Sequence, residues 1–277
     1  MENNPPQLLR AVVPSVRMLV APIPGAELDT HVLLGEDVEF IEEIDPIYCR
    51  VQACLDGKTG FVQSDMFQPA PIVLPTHRVI VPRAVIFRNP DFKGPVKTHL
   101  AMNALVTISD IHHSDSGTYV QISGMIGNEQ GWMHPSQLVP VDDFAADLIE
   151  TALMFVGPTP YVWGSRDTNI GVDCSSFLQA ALIRCGRKSP RDSGPMSEQL
   201  GTQLGEGPSQ ILPQLRAGRF IFWQRHVAMM VNPTHCVHAT NMEPYHRVLV
   251  QPLQEVIAQK LAKGEGPVTK IREFCSV

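Results

Sequence analysis

The sequence predicts an α+β domain carried behind two small β-barrels. Three observations predict it. The first half lacks long helical periodicity and instead shows short β-rich runs broken by Gly, Pro, Asn and Asp. A weak repeat runs through that half. After Val141-Asp142-Asp143 the texture changes to amphipathic helix followed by closely spaced apolar strands.

VEFIEEI (Val38 to Ile44) and ALVTISDI (Ala104 to Ile111) read as barrel strands. CRVQACLDGKTGFVQSDMFQP from Cys49 recurs as TYVQISGMIGNEQGWMHPSQLVP from Thr118, so that Val51-Gln52 and Gly60-Phe61-Val62 are echoed by Val120-Gln121 and Gly131-Trp132-Met133. The offset, roughly 70 residues, is one small barrel. QPAPIVLPTHR from Gln68 reads as a semi-rigid linker, because proline fixes φ and cannot continue a ladder. Residues 14–69 and 75–140 are the two expected modules, and both resemble bacterial SH3-like domains.

Residues 144–277 form the expected third domain. FAADLIETALMFVG (Phe144 to Gly157) has apolar residues at helical spacing, with an Asp pair ahead of it suited to the helix dipole. A second helix is expected from about Ser175 to Cys185, then strands at Phe220 to Trp223, His226 to Val231 and Cys236 to Thr240. The tail from Val248 reads as strand, helix with a Gly264 stop, and a closing strand that completes the sheet.

Composition narrows the function. The 277 residues are 44% hydrophobic with a formal charge of −6, and Lys and Arg are dispersed, so nothing gathers phosphates and nucleic acid is not an expected partner. No uninterrupted apolar run reaches the length of a signal-peptide core or membrane span, which points to no membrane partner and a cytoplasmic address. Six cysteines without a CxxC pair suit reduced thiols. Walker-type and dinucleotide fingerprints are absent, so no cofactor is expected. Of His235, Cys236 and His238, strand alternation sends His235 to the opposite side, and no metal is expected.

The informative segment is YVWGSRDTNIGVDCSSFLQAALIRCG. Cys174 follows Gly171-Val172-Asp173 and opens an apolar helical run. There a thiol faces unpaired N–H groups and the positive dipole end, which favour the nucleophilic thiolate. Free cysteines also pack simply as core, and the local sequence leaves both roles open. His226 begins one strand and His238 lies on the next. A sulfur nucleophile needs a base, and that base needs a polar partner on its far nitrogen, though either His could equally satisfy a buried hydrogen bond.

In combination these elements resemble the NlpC/p60 family of papain-like cysteine peptidases, which cleave bacterial cell-wall peptides. The resemblance runs from about Phe144 to Glu273 through YxWG (Tyr161 to Gly164), GxDCSSFxQ (Gly171 to Gln179), PRDSxxxSEQ (Pro190 to Gln199), AGRFIFW, HVAMMV and VHA around His238. It implies Cys174 as nucleophile, His226 as general base, His238 as the orienting third residue and Tyr161 as oxyanion donor. The sequence departs from the family at Ser165, where a second glycine is usual, and at Arg219, where Asp is common.

Two SH3-like modules ahead of such a domain look like the γ-D-glutamyl-L-diamino acid endopeptidases that trim murein peptides bearing a free N-terminal L-Ala. That likeness implies Asp173, Ser175 and Ser193, with Glu36 from the first module, as the groups that hold the substrate's amino end. Lys58, in DGKTGF, stands where a tyrosine of that subgroup would be. Two other readings stay open: a papain-like acyltransferase or amidase, and a non-catalytic wall-peptide binder. The oligomeric state is not encoded.

Overall fold

A computed structural model describes residues 7–70, 74–125 and 130–274. The chain divides into two compact units, Met1–Phe144 with Asp167–Asn169, and Ala145–Arg166 with Ile170–Val277. The first holds both barrels.

Strands β1 (Leu8–Ala11), β2 (Ser15–Leu19), β3 (Leu28–Leu33), β4 (Asp37–Glu43), β5 (Tyr48–Ala53), β6 (Thr59–Gln63) and β7 (Phe67–Pro69) form a sheet ordered β3-β2-β6-β5-β4-β1-β7. Strands β8 (His77–Val79), β9 (Arg83–Phe87), β10 (Val96–Ala101), β11 (Leu105–Ser114), β12 (Gly117–Ser123), β13 (Gly131–Met133) and β14 (Leu138–Pro140) repeat that order strand for strand: β10-β9-β13-β12-β11-β8-β14. The echo in sequence is thus a repeat in topology. The shared glycine has a steric cause. A Cβ at Gly60 would lie 2.5 Å from Met18 Cγ on β2, and one at Gly131 would lie 2.2 Å from Ile86 Cγ2 on β9. In each barrel the glycine lets β6 or β13 close against the strand beside it.

The first sheet begins at Leu8 rather than at residue 14, because Leu8-Leu9-Arg10 pairs with β4 and Leu9-Arg10-Ala11 with β7. Of the proposed linker, residues 71–73 lie outside the described residues. Lys58 Nζ is held by Asp29 Oδ1 at 2.9 Å. Glu36, nearly buried, accepts the Leu33 N–H on Oε2 at 2.8 Å, so its carboxylate ties the turn between β3 and β4.

The second unit contains α1 (Leu148–Leu153), α2 (Cys174–Arg184), α3 (Ser193–Gln199), β15 (Thr202–Glu206), α4 (Gly207–Ile211), β16 (Phe220–Trp223), β17 (His226–Met230), β18 (His235–Thr240), β19 (Arg247–Pro252), α5 (Leu253–Ala262) and β20 (Lys270–Glu273). Its sheet runs β15-β20-β16-β17-β18-β19. The closing strand β20 sits inside the sheet, between β15 and β16. Helix α1 is shorter than the periodicity suggests and starts later, because Asp147, not the Asp142-Asp143 pair, caps it by accepting from Ile149 and Glu150 N–H. Arg219, where the family favours Asp, grips Glu273 with Nε and Nη2 at 3.1 and 3.2 Å and so ties the start of β16 to β20.

One apolar cluster, including Ile221, Trp223, Ala228, Met230, Cys236, Leu253 and Val256, packs α5 onto a face of this sheet. Register puts Trp223 opposite His226 and Met230 opposite Cys236. His226 and His238, each an even number of residues from a member of that cluster, therefore share its face. Among the described residues, Cys49, Cys54, Cys174, Cys185 and Cys236 are free thiols, and no helix is long and apolar enough to cross a membrane.

Candidate active site

Asp173 fixes the start of α2. Its Oδ1 accepts from Ser175 N, Ser176 N and Ser175 Oγ at 3.1, 2.8 and 3.1 Å, while Ser176 Oγ accepts from the Asp173 N–H at 2.9 Å, a reciprocal capping box. Ser176 Oγ in turn donates to Ser165 O at 2.6 Å, so the buried Ser165 meets the helix start through its main chain. Cys174, the first helical residue, keeps its own N–H, since the cap serves only the N–H groups after it.

Arg191 locks the same carboxylate. Its Nη2 lies 2.7 Å from Asp173 Oδ2, and its Nη1 lies 3.2 Å from Oδ1 and 3.1 Å from Ser175 Oγ; Gly164 N–H adds a bond to Oδ2 at 3.1 Å. Burial works to raise the Asp173 carboxyl, but the Arg191 charge and these hydrogen bonds outweigh it and hold the group ionised, below the usual carboxylate range. Asp173, expected to help hold a substrate amine, has both carboxylate oxygens engaged by donors of the protein itself. A carboxylate has about four acceptor sites, and protein donors already fill them. Ser175 Oγ, donating to Asp173 and accepting from Arg191, retains one lone pair. Ser193, half-buried, opens α3 two residues after Arg191.

The sulfur of Cys174 lies against the main chain on both sides of His226. Sγ donates to Arg225 O at 4.0 Å, and the Val227 N–H faces the sulfur. These groups are available because pairing of β17 with β18 stops at Met229 opposite Val237. Arg225, in the left-handed region at φ 71°, makes the tight turn from β16 into β17. His226 Nε2 lies 3.0 Å from His238 Nδ1, and His238 Nε2 lies 2.9 Å from Gln251 Oε1 on β19. The Trp223 and His226 rings sit 5.7 Å apart.

Burial dominates the electrostatics. It pushes the Cys174 thiol up to about 12, with the Asp173 charge adding to it, against the Val227 N–H, Lys260 and Arg191, which pull it down. The same burial, then the Lys260 charge, hold His226 well below its ordinary range. His238 falls to about 4. The resting pair is thus neutral thiol and neutral imidazole. Burial, followed by the charges of Cys174 and Asp173, also raises the Tyr161 phenol, which stays a protonated donor. A neutral base beside a neutral nucleophile takes the proton as attack proceeds, which is general-base chemistry.

The structure therefore places the Cys174 sulfur against the main chain that flanks His226, and the His226 ring against His238, all on the second unit, with the sulfur's charge one influence on the Tyr161 phenol. Three participants were not singled out from the sequence. Arg191 stood within the PRDS element, Gln251 lay in an ordinary strand, and Lys260 sat on an ordinary helix.

The model of the NlpC/P60 family matches residues 158–264, the segment that carries all of these groups except the tail of the sheet. Residues 158–264 form an NlpC/P60 domain. The model of the bacterial dipeptidyl-peptidase Sh3 domain matches residues 18–66, the first barrel. The chain is 26% identical over 227 residues to dipeptidyl-peptidase 6 of Lysinibacillus sphaericus, covering 78% of this chain and 81% of that protein. It is 33% identical over 107 residues to a gamma-D-glutamyl-L-lysine dipeptidyl-peptidase of Bacillus cereus, 36% of this chain and 29% of that longer protein. In fold it is similar to the crystal structure of an NlpC/P60 family protein from Bacillus cereus, with TM-score 0.75 and 18% identity over 97% of this chain and all of that one. An NlpC/P60 endopeptidase from Photobacterium damselae shares the fold at TM-score 0.60 and 12% identity, over 97% of this chain and 72% of that one. That domain belongs to a family of cysteine-type peptidases, which are hydrolases, and one barrel ahead of it matches the bacterial SH3 model.

Proposed function

We propose that this protein hydrolyses the bond between γ-D-Glu and a diamino acid in murein peptides that bear a free N-terminal L-Ala. The observation that carries the reading is a thiol at a capped helix start, lying against the main chain on either side of a histidine that a second histidine holds at 3.0 Å. The name of one relative, a gamma-D-glutamyl-L-lysine dipeptidyl-peptidase, supports the bond, and that of the other, a dipeptidyl-peptidase, the release of a dipeptide.

His226 takes the thiol proton as Cys174 Sγ attacks the γ-carbonyl carbon. The oxyanion draws on the Cys174 N–H and the Tyr161 hydroxyl, donors set before charge develops. Collapse breaks the C–N bond, and His226 returns its proton to the leaving amine. Water, deprotonated by His226, then hydrolyses the thioester and releases the γ-carboxylate and the free thiol. His238 keeps the His226 ring in place and shares its charge. Ser175 and Ser193 receive the substrate's ammonium. Asp173 acts through Ser175, whose hydroxyl proton it draws away, leaving the oxygen a better acceptor.

Mass spectrometry on L-Ala-γ-D-Glu-diaminopimelate, its Lys counterpart and their N-acetylated forms tests this. Wild type is expected to release the L-Ala-D-Glu dipeptide from the free peptides, and Cys174→Ala is not. No cleavage by wild type, equal cleavage by the variant, or transfer of the acyl group to an added amine in place of water rejects the reading.

A further inference from the structure

Gln251 terminates the hydrogen-bond chain that begins at the base, and the polarity of its amide sets every proton along that chain. In the sheet, Gln251 stands opposite Cys236, so it shares a face with His238 two residues along β18. Both side chains are buried, Gln251 3% and His238 0% exposed. Gln251 Oε1 lies 2.9 Å from His238 Nε2.

An amide oxygen only accepts, so His238 Nε2 must carry a hydrogen. A neutral imidazole has one N–H, which makes His238 Nδ1 an acceptor. The hydrogen shared across the 3.0 Å contact then belongs to His226 Nε2. His226 Nδ1 is left with its lone pair. It is the ring nitrogen nearer the main chain, where the Cys174 sulfur lies against Arg225 O and the Val227 N–H. With the amide reversed, each hydrogen shifts by one site, and His226 Nδ1 bears a hydrogen and cannot accept the thiol's. The question is live at neutral pH because burial keeps both rings uncharged there.

We propose that Gln251 is a positioning residue, whose amide oxygen fixes the Nε2–H tautomer of His238 and through it that of His226, leaving Nδ1 of His226 free as the base. The inference rests on His226 being the base of the proposed reaction. When His226 accepts the thiol proton at Nδ1, its Nε2–H already points at the His238 lone pair, so the imidazolium forms without any ring turning. No further oxidant, metal or co-reactant enters.

Long-range ¹H–¹⁵N correlation spectra of the full-length, ¹⁵N-histidine-labelled protein at neutral pH, assigned with His226→Ala and His238→Ala, read the tautomers directly. Wild type is expected to show Nε2–H on both rings. Gln251→Glu, which keeps an acceptor, retains that pattern. Gln251→Leu loses it, and lowers kcat by roughly 10²- to 10⁴-fold, the range attributable to a positioned base, with KM little changed. An Nδ1–H tautomer on either wild-type ring, or an unaltered pattern in folded Gln251→Leu, overturns the proposal. Should Gln251→Leu not fold, the wild-type and Gln251→Glu spectra still decide it. The tautomers need no substrate, so the expected spectra together with an uncleaved murein peptide would reject the substrate reading and leave the role of Gln251 standing.

Discussion

Arg191 and Asp173 form a two-pronged ion pair, 2.7 and 3.2 Å, in which both side chains are almost fully buried. The pair sits at the residue that precedes Cys174, so the anchoring of the nucleophile and the stability of the unit share one interaction.

Removing Arg191 leaves an uncompensated buried carboxylate. Arg191→Met is expected to destabilise the NlpC/P60 domain by about 3–5 kcal/mol in urea unfolding at pH 7. Asp173 is held below its ordinary range, so in wild type its contribution is fully present above the unfolded carboxylate pKa. It is lost as pH falls through the lowered folded pKa. The variant should lose this acid-dependent part, and a wild-type slope of stability against pH in the variant would refute the assignment.

Because burial holds the thiol up at about 12, the resting enzyme carries little thiolate. Alkylation by iodoacetamide should rise roughly tenfold per pH unit, about 100-fold from pH 7 to 9, as a titrating thiol does. A rate already on a plateau near pH 6 would instead indicate a preformed thiolate–imidazolium pair.

Lys260, on α5, is buried and paired with Glu265 at 2.7 Å. After burial itself, its charge is the largest influence keeping His226 neutral. A lowered imidazole pKa means that the base remains competent into acid and is lost only below that pKa. Lys260→Met should therefore move the acid limb of the kcat/KM profile to higher pH. An unmoved limb, in a variant that still folds, speaks against a Lys260 field at the base.

Tyr161 is assigned the oxyanion, and burial first of all keeps its hydroxyl protonated. Tyr161→Phe is expected to lower kcat by roughly 10²–10³-fold with KM nearly unchanged, as for loss of one oxyanion donor. Steady-state kinetics within twofold of wild type would remove Tyr161 from the mechanism.

Gly171 takes φ 148°, and a Cβ there would come within 2.7 Å of Pro160 O and 2.6 Å of Val162 Cγ2. Those residues make the bridge Val172 N to Pro160 O (3.0 Å) and Val162 N to Val172 O (2.9 Å) that sets Tyr161 beside the Cys174 turn. Gly171→Ala should cost about 1–3 kcal/mol of stability, measured by urea unfolding. A change under half a kcal/mol would show that the bridge relaxes freely.

Several features were legible in the sequence because they are local. Alternating apolar strands, the Gly60 and Gly131 echo, the Cys174 helix start and the stop at Gly264 each depend on periodicity or backbone conformation within a few residues. The length of α1 was misread for a related reason. Apolar spacing reported a helical face from Phe144, whereas the helix begins where Asp147 captures its first N–H groups. The extra strand β1 escaped because Leu8–Ala11 gains its meaning from partners on β4 and β7, 27 to 60 residues away by the pairing register.

By itself, then, the sequence determined the repeat of two barrels, the α+β texture after residue 143, and the placing of a thiol at a helix start with two histidines on neighbouring strands. Only the tertiary structure decided that Arg191 neutralises Asp173, that His226 reaches His238 and His238 reaches Gln251, and that Lys260 places its charge near Cys174, His226 and His238. The reason is physical. Helical and strand periods are fixed by bonds within one segment, but which polar group meets which across a sheet depends on register, and which charges survive burial depends on partners supplied by segments far apart in the chain.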